Sequence, residues 1–175
     1  MNSLRLIERG KNLFFWKDIF RVNICAIEAG GSMGNNVHLE YYQKNFYKLK
    51  ELLDLLKQGK HGMLLWGAGL KGQGFLEICD PEKEYIQFVV DRDSGKQGKT
   101  LPGGHTVKGI EWVDPDMVIL VANERYYASV CWSLLDNGFD VKKMKLICLD
   151  HFIDGKFALG DVQSGKIWER KRYYD

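Results

Sequence analysis

Met63-Leu64-Leu65-Trp66 runs straight into Gly67-Ala68-Gly69-Leu70-Lys71-Gly72, a short apolar segment feeding a Gly-x-Gly-x-x-Gly turn. In a chain with 19 glycines that spacing alone carries little weight. Its surroundings give it meaning. The apolar run reads as a short strand, and Leu70 to Cys79 continues as a helix with an apolar stripe of Leu70, Phe75, Leu76 and Cys79. A second strand, Ile86-Gln87-Phe88-Val89-Val90, ends at Asp91, roughly 20 residues beyond the turn.

Strand and helix signals keep alternating downstream. Met117 to Ala122 is an almost wholly apolar run, Glu124 to Asp136 reads as a helix stopped by Asn137-Gly138, and Met144 to Leu149 is a further strand. Repeated β-α-β order predicts an α/β fold with three layers, α/β/α, around a mostly parallel sheet. The domain is expected over residues 61–152. Residues 1–60 are expected to pack on it as a strand (Phe20 to Ile27), a glycine and asparagine loop (Ala29 to Asn36) and an amphipathic helix. That helix, Tyr41 to Lys57, carries Tyr42, Phe46, Leu49, Leu52, Leu53 and Leu56 at helical spacing and is closed by Gly59 and Gly62. Residues 153–175 read as a tail or hairpin with arms at Lys156 to Leu159 and Lys166 to Glu169.

Each glycine of the turn has a physical task. Gly67 permits the tight turn off the strand, Gly69 lets the backbone approach a phosphate, and Gly72 lets the helix pack closely. The helix start offers N–H donors and partial positive charge to an anion. Lys71 is close enough in sequence to reach a phosphate, or to stand solvated. Asp91 is placed to accept from ribose hydroxyls, and Arg92 beside it keeps a 2′-phosphate open as an alternative. Asn123 follows the third strand, where it would both cap the next helix and, with Tyr126, face the same crevice. The glycine-rich loop Lys96 to Gly104 leads to His105, read as a structural or ligand-contacting histidine. The predicted ligand-binding set is therefore Gly67, Ala68, Gly69, Lys71, Gly72, Asp91, Arg92, His105 and Asn123, with no catalytic residue identified.

Composition narrows the partners. The net charge of +2 is too mild to suggest nucleic acid, and no apolar stretch approaches the ~20 residues of a membrane span. Cys25, Cys79, Cys131 and Cys148 lack metal-site spacing and read as buried thiols in a reducing cytoplasm; His38, His61 and His151 read as surface or capping residues, so no metal is expected. There is no Gly-x-Ser-x-Gly elbow, P-loop or Tyr-x-x-x-Lys pair.

Four motifs in order, Trp66 to Gly72, Val89 to Asp93, Lys96 to Lys99 and Leu101 to His105, resemble the C-terminal Rossmann-like domain of the C-methyltransferases that act on nucleotide-linked deoxysugars. The resemblance spans about half the chain, Met63 to Leu149. It implies a Rossmann-like fold and a part in holding a nucleotide or nucleotide-sugar, in sugar or polysaccharide biosynthesis. In that family, the resemblance implies, S-adenosylmethionine and the methyl-transfer residues belong to a separate domain behind a zinc-binding segment, and this chain shows the features of neither. The expected ligand is a small nucleotide, with nucleotide-sugar, NAD(P) and S-adenosylmethionine all open as cofactors. The expected function is a binding module; the alternatives are an NAD(P)-dependent nucleotide-sugar oxidoreductase and a subunit of a split methyltransferase. A partner catalytic chain and a homodimer are both open.

Overall fold

The computed structural model describes residues 33–169, and from His38 onward they form one compact unit. The elements are α1 (Met33–Lys44), α2 (Phe46–Gln58), β1 (Met63–Trp66), α3 (Leu70–Cys79), β2 (Ile86–Val90), β3 (Val107–Lys108), a 3-10 turn (Ile110–Trp112) and β4 (Val118–Val121). A second 3-10 turn (Glu124–Tyr126) runs into α4 (Tyr127–Asp136), followed by β5 (Lys145–Cys148), α5 (Leu149–Ile153), α6 (Leu159–Gln163) and α7 (Lys166–Glu169).

The five strands form one wholly parallel sheet in the order β3-β2-β1-β4-β5. Strand order reverses at β1, whose two neighbours β2 and β4 lead to opposite edges, and the loops leaving β1 and β4 separate there. This is the Rossmann-like α/β architecture. Buried on both faces, β1 and β4 are apolar at every position, as a central parallel strand must be. One face sends Leu64, Trp66, Val90, Ile119 and Leu146 against α4 through Val130, Cys131 and Leu134. The residues between them face the other way, toward the layer that contains α2 and α3.

All six stripe residues from Tyr42 to Leu56 are buried, each leucine contributing about 2 kcal/mol of burial. The helix bearing them is not continuous, however. Asn45 breaks it: its side-chain amide donates to the Tyr41 carbonyl (2.8 Å) and its own N–H turns to the Tyr42 carbonyl (3.2 Å). This is the competition by which asparagine disfavours helix interiors. Helix α2 ends at Gly59, as expected. Gly59 stays right-handed (φ −70), and the left-handed residue is Lys60 (φ 58).

Three further corrections concern local structure. Met33 to Asn36, expected in a loop, are already helical, because the helix is anchored by buried Leu39 and Tyr42 and tertiary burial overrides weak propensity. The first turn after Asn123 is 3-10 rather than α. The C-terminal arms do not form a hairpin: Lys166 to Glu169 is helical, and Lys156 to Ala158 is irregular backbone leading into α6. The Asp161 carboxylate accepts the Ala158 N–H (2.9 Å) and opens α6, while buried Phe157 packs against Phe152 with ring centres 5.4 Å apart. The predicted strand Phe20 to Ile27, residues 29–32 of the predicted loop, and Cys25 lie outside the described residues.

Candidate functional site at the strand carboxyl ends

The turn after β1 is fixed by its own backbone. Gly67 has φ +113, a conformation that favours glycine, and its N–H continues the sheet by donating to the Val90 carbonyl at 2.8 Å. A Cβ on Gly72 would lie 1.9 Å from the Gly67 carbonyl oxygen, so the third glycine is required by the turn itself, with the nearest strand atom, on Leu65, at 3.5 Å. Gly69 is the reverse case: an added Cβ would meet nothing within 4 Å. That open space lies over the start of α3, where Leu70 and Lys71 have no intrahelical acceptors for their N–H groups and the glycine cap supplies no side chain.

Asp91 locks this turn to the end of β2. Its Oδ2 accepts the Ala68 N–H (2.8 Å) and Lys96 Nζ (3.1 Å), and its Oδ1 accepts the Asp93 N–H (2.9 Å). Burial alone would raise the Asp91 carboxyl; the N–H groups of Asp93 and Ala68, together with Lys96, outweigh it and hold the group below the ordinary carboxylate value. A depressed folded value means stabilisation that is complete above the unfolded value and lost as pH falls through the folded one. Hydrogen-exchange protection of the Ala68 amide, relative to its intrinsic rate, should therefore hold from neutrality down to about pH 5 and fall below about pH 4. Loss of protection already near pH 6 would contradict this clamp.

A crevice of about 410 Å³ opens above these loops, a usual size for a small-molecule site. It is lined by Gly67, Gly69, Lys71 and Gly72 from the turn, Asp91 and Arg92 from β2, and Asn123 from β4. Seven of the nine sequence-predicted residues thus meet in one place. Ala68 is 2% exposed and its N–H is held by Asp91, so it shapes the turn from below. His105 is elsewhere. The loop from Asp91 leads into the start of β3, away from the carboxyl edge, and His105 is fully buried there with Nε2 3.1 Å from Asp80 Oδ2.

Lys71 lines the crevice without being available to it. Its ammonium binds both oxygens of Asp150 (2.5 and 2.6 Å), and Asp150 also accepts Tyr41 OH (2.9 Å) and the Glu124 N–H (2.9 Å). The pair ties α3, the loop after β4 and α5 together at the rim. Asn123 does cap, its Oδ1 accepting the Arg125 N–H at 3.0 Å, and it also faces the crevice with Tyr126. His38, Leu70, Lys96, Ser129 and Val130 also line it, with Trp66, Val121 and Ala122 at the strand ends. Two of these carried a usable signal. His38 stands one helical turn before Tyr42, and Leu70, expected in the apolar stripe of α3, is instead 50% exposed, its five-residue spacing from Phe75 turning it off the core face.

A parallel sheet with a glycine turn, an acidic clamp and a crevice where strand order reverses defines a Rossmann-like domain with an open cleft at its topological switch point. More particularly, the C-methyltransferase C-terminal domain family matches residues 25–127, more than half of the sequence, and the chain belongs to that family. The match begins before α1, so α1 and α2 fall within it, and it ends at Tyr127. No curated protein matches the chain.

Among the described residues no group of three or more His, Cys, Asp or Glu side chains is arranged to hold a metal ion, and no helix is long and apolar enough to cross a membrane.

Proposed function

We propose that this domain holds a nucleotide-sugar for a C-methylation step of sugar or polysaccharide biosynthesis, with the methyl-transfer chemistry supplied by another domain or chain. The observation that carries the reading is the open space over Gly69 at the start of α3, inside a crevice that also exposes Arg92 and Lys96. A diphosphate there would take the N–H groups and dipole of the helix start. The exposed ring of Tyr126 at the same mouth, 55% accessible, offers a planar apolar surface to a base or sugar ring. With Lys71 committed to Asp150, phosphate recognition falls to backbone amides and to Arg92, with Lys96 shared with Asp91. Family membership supports the link to C-methyltransferases. The buried free thiols of Cys79 and Cys148 suit a reducing compartment such as the cytoplasm.

Isothermal titration of the chain against UDP- and dTDP-sugars, NAD(P) and S-adenosylmethionine tests this. Heat with nucleotide-sugars and with the free nucleoside diphosphates is expected. Binding of NAD(P) alone would replace the proposal with a nicotinamide-cofactor role, and no heat with any of them would remove it.

A further inference from the structure

Helix α4 covers its side of the sheet with Val130, Cys131 and Leu134, and among the described residues it is the only α-helix in that core. Its outer face is unusual for a solvated helix. Arg125, Ala128, Trp132 and Leu135 recur at spacings of three, four and three, the stripe of a helix seam. All four are exposed, Trp132 at 66% and Leu135 at 48%, and within α4 itself the sole charged residue is Asp136 at the end.

We infer that a second copy of this chain docks on this face, with α4 packed antiparallel on its symmetry mate about a twofold axis. The stripe is self-complementary in that direction alone. Antiparallel pairing sets small Ala128 opposite Leu135 of the second copy and brings the two Trp132 rings together near the axis. It also carries Arg125, at the start of one helix, to the end of the other, where Asp136 and the free carbonyls present negative charge. Parallel pairing would instead put Arg125 beside Arg125 and Asp136 beside Asp136. A twofold interface needs the same patch on both partners, and this one supplies an aromatic centre with a charged rim of both signs.

Sedimentation equilibrium of the full chain between about 1 and 200 µM should show a monomer-dimer equilibrium. Trp132→Glu, and separately Leu135→Lys, should weaken it about tenfold or more without lowering the melting temperature, since both side chains are largely exposed in one copy. Arg125→Glu and Asp136→Arg should each weaken the dimer, and combining them should restore it to within about threefold. A chain that stays monomeric throughout, or that associates only with a different protein, overturns the inference. So does a dimer indifferent to Trp132→Glu and Leu135→Lys, or a double charge reversal that fails to recover.

Discussion

Replacing Gly69 with valine is expected to weaken nucleotide binding by about a hundredfold, or ~2.7 kcal/mol, while the melting temperature stays within about 3 °C of the parent. Both halves follow from the turn. Gly69 sits in ordinary extended backbone (φ −81, ψ 179) with nothing within 4 Å of an added Cβ, so a side chain can start there without a clash in the folded state. That same side chain would fill the space through which a phosphate reaches the N–H groups of Leu70 and Lys71. The neighbouring glycine gives the opposite result. Gly72→Ala drives a methyl to 1.9 Å from a backbone oxygen that cannot move without opening the turn, at a cost of about 3 kcal/mol in stability. Calorimetric titration and thermal melts of the two variants separate binding from folding. A Gly69→Val protein that binds as tightly as the parent would mean that the ligand does not use this turn.

The largest loss of stability is expected from Asp80→Ala. This aspartate, 1% exposed, caps the end of α3 and organises the turn into β2. Its Oδ1 accepts the N–H groups of Glu84 (2.6 Å) and Tyr85 (3.1 Å), and its Oδ2 accepts Ile86 N–H (2.8 Å) beside His105 Nε2 (3.1 Å). Removing the carboxylate leaves three donors and a fully buried imidazole without their acceptor, a change worth about 3–5 kcal/mol in urea unfolding. Asp80→Asn keeps two acceptor positions on one oxygen and should cost less. A loss below about 1 kcal/mol for Asp80→Ala would show that these bonds are replaced by solvent.

Asp80 and His105 also mark where sequence reasoning reaches its limit. The spacing from Gly67 to Asp91 was legible because a parallel β-α-β unit fixes how far apart the ends of two neighbouring strands fall, and β1, α3 and β2 have the predicted boundaries. His105 was misplaced because β3 is only two residues long and gives no periodic signal. Without it, the loop after Asp91 appears to stay at the carboxyl edge, whereas pairing of Val107 with Val89 draws it back along the sheet. The reach of Lys71 was equally invisible. Its partner Asp150 lies 79 residues away, at the start of a helix that follows β5 without a loop, and nothing local announces that pairing. Local rules succeeded where one residue decides the outcome, as at Gly67 and Asn123. They failed where a distant carboxylate or a minimal strand decides it.

Amide chemical-shift mapping tests most directly whether a nucleotide enters at the start of α3. On titration with a nucleoside diphosphate, the amides of Gly69, Leu70, Lys71 and Gly72 should move most, with Arg92 and Asn123 following and His105 unmoved. Shifts confined to other surfaces, or none at these amides with ligand in excess, would contradict it.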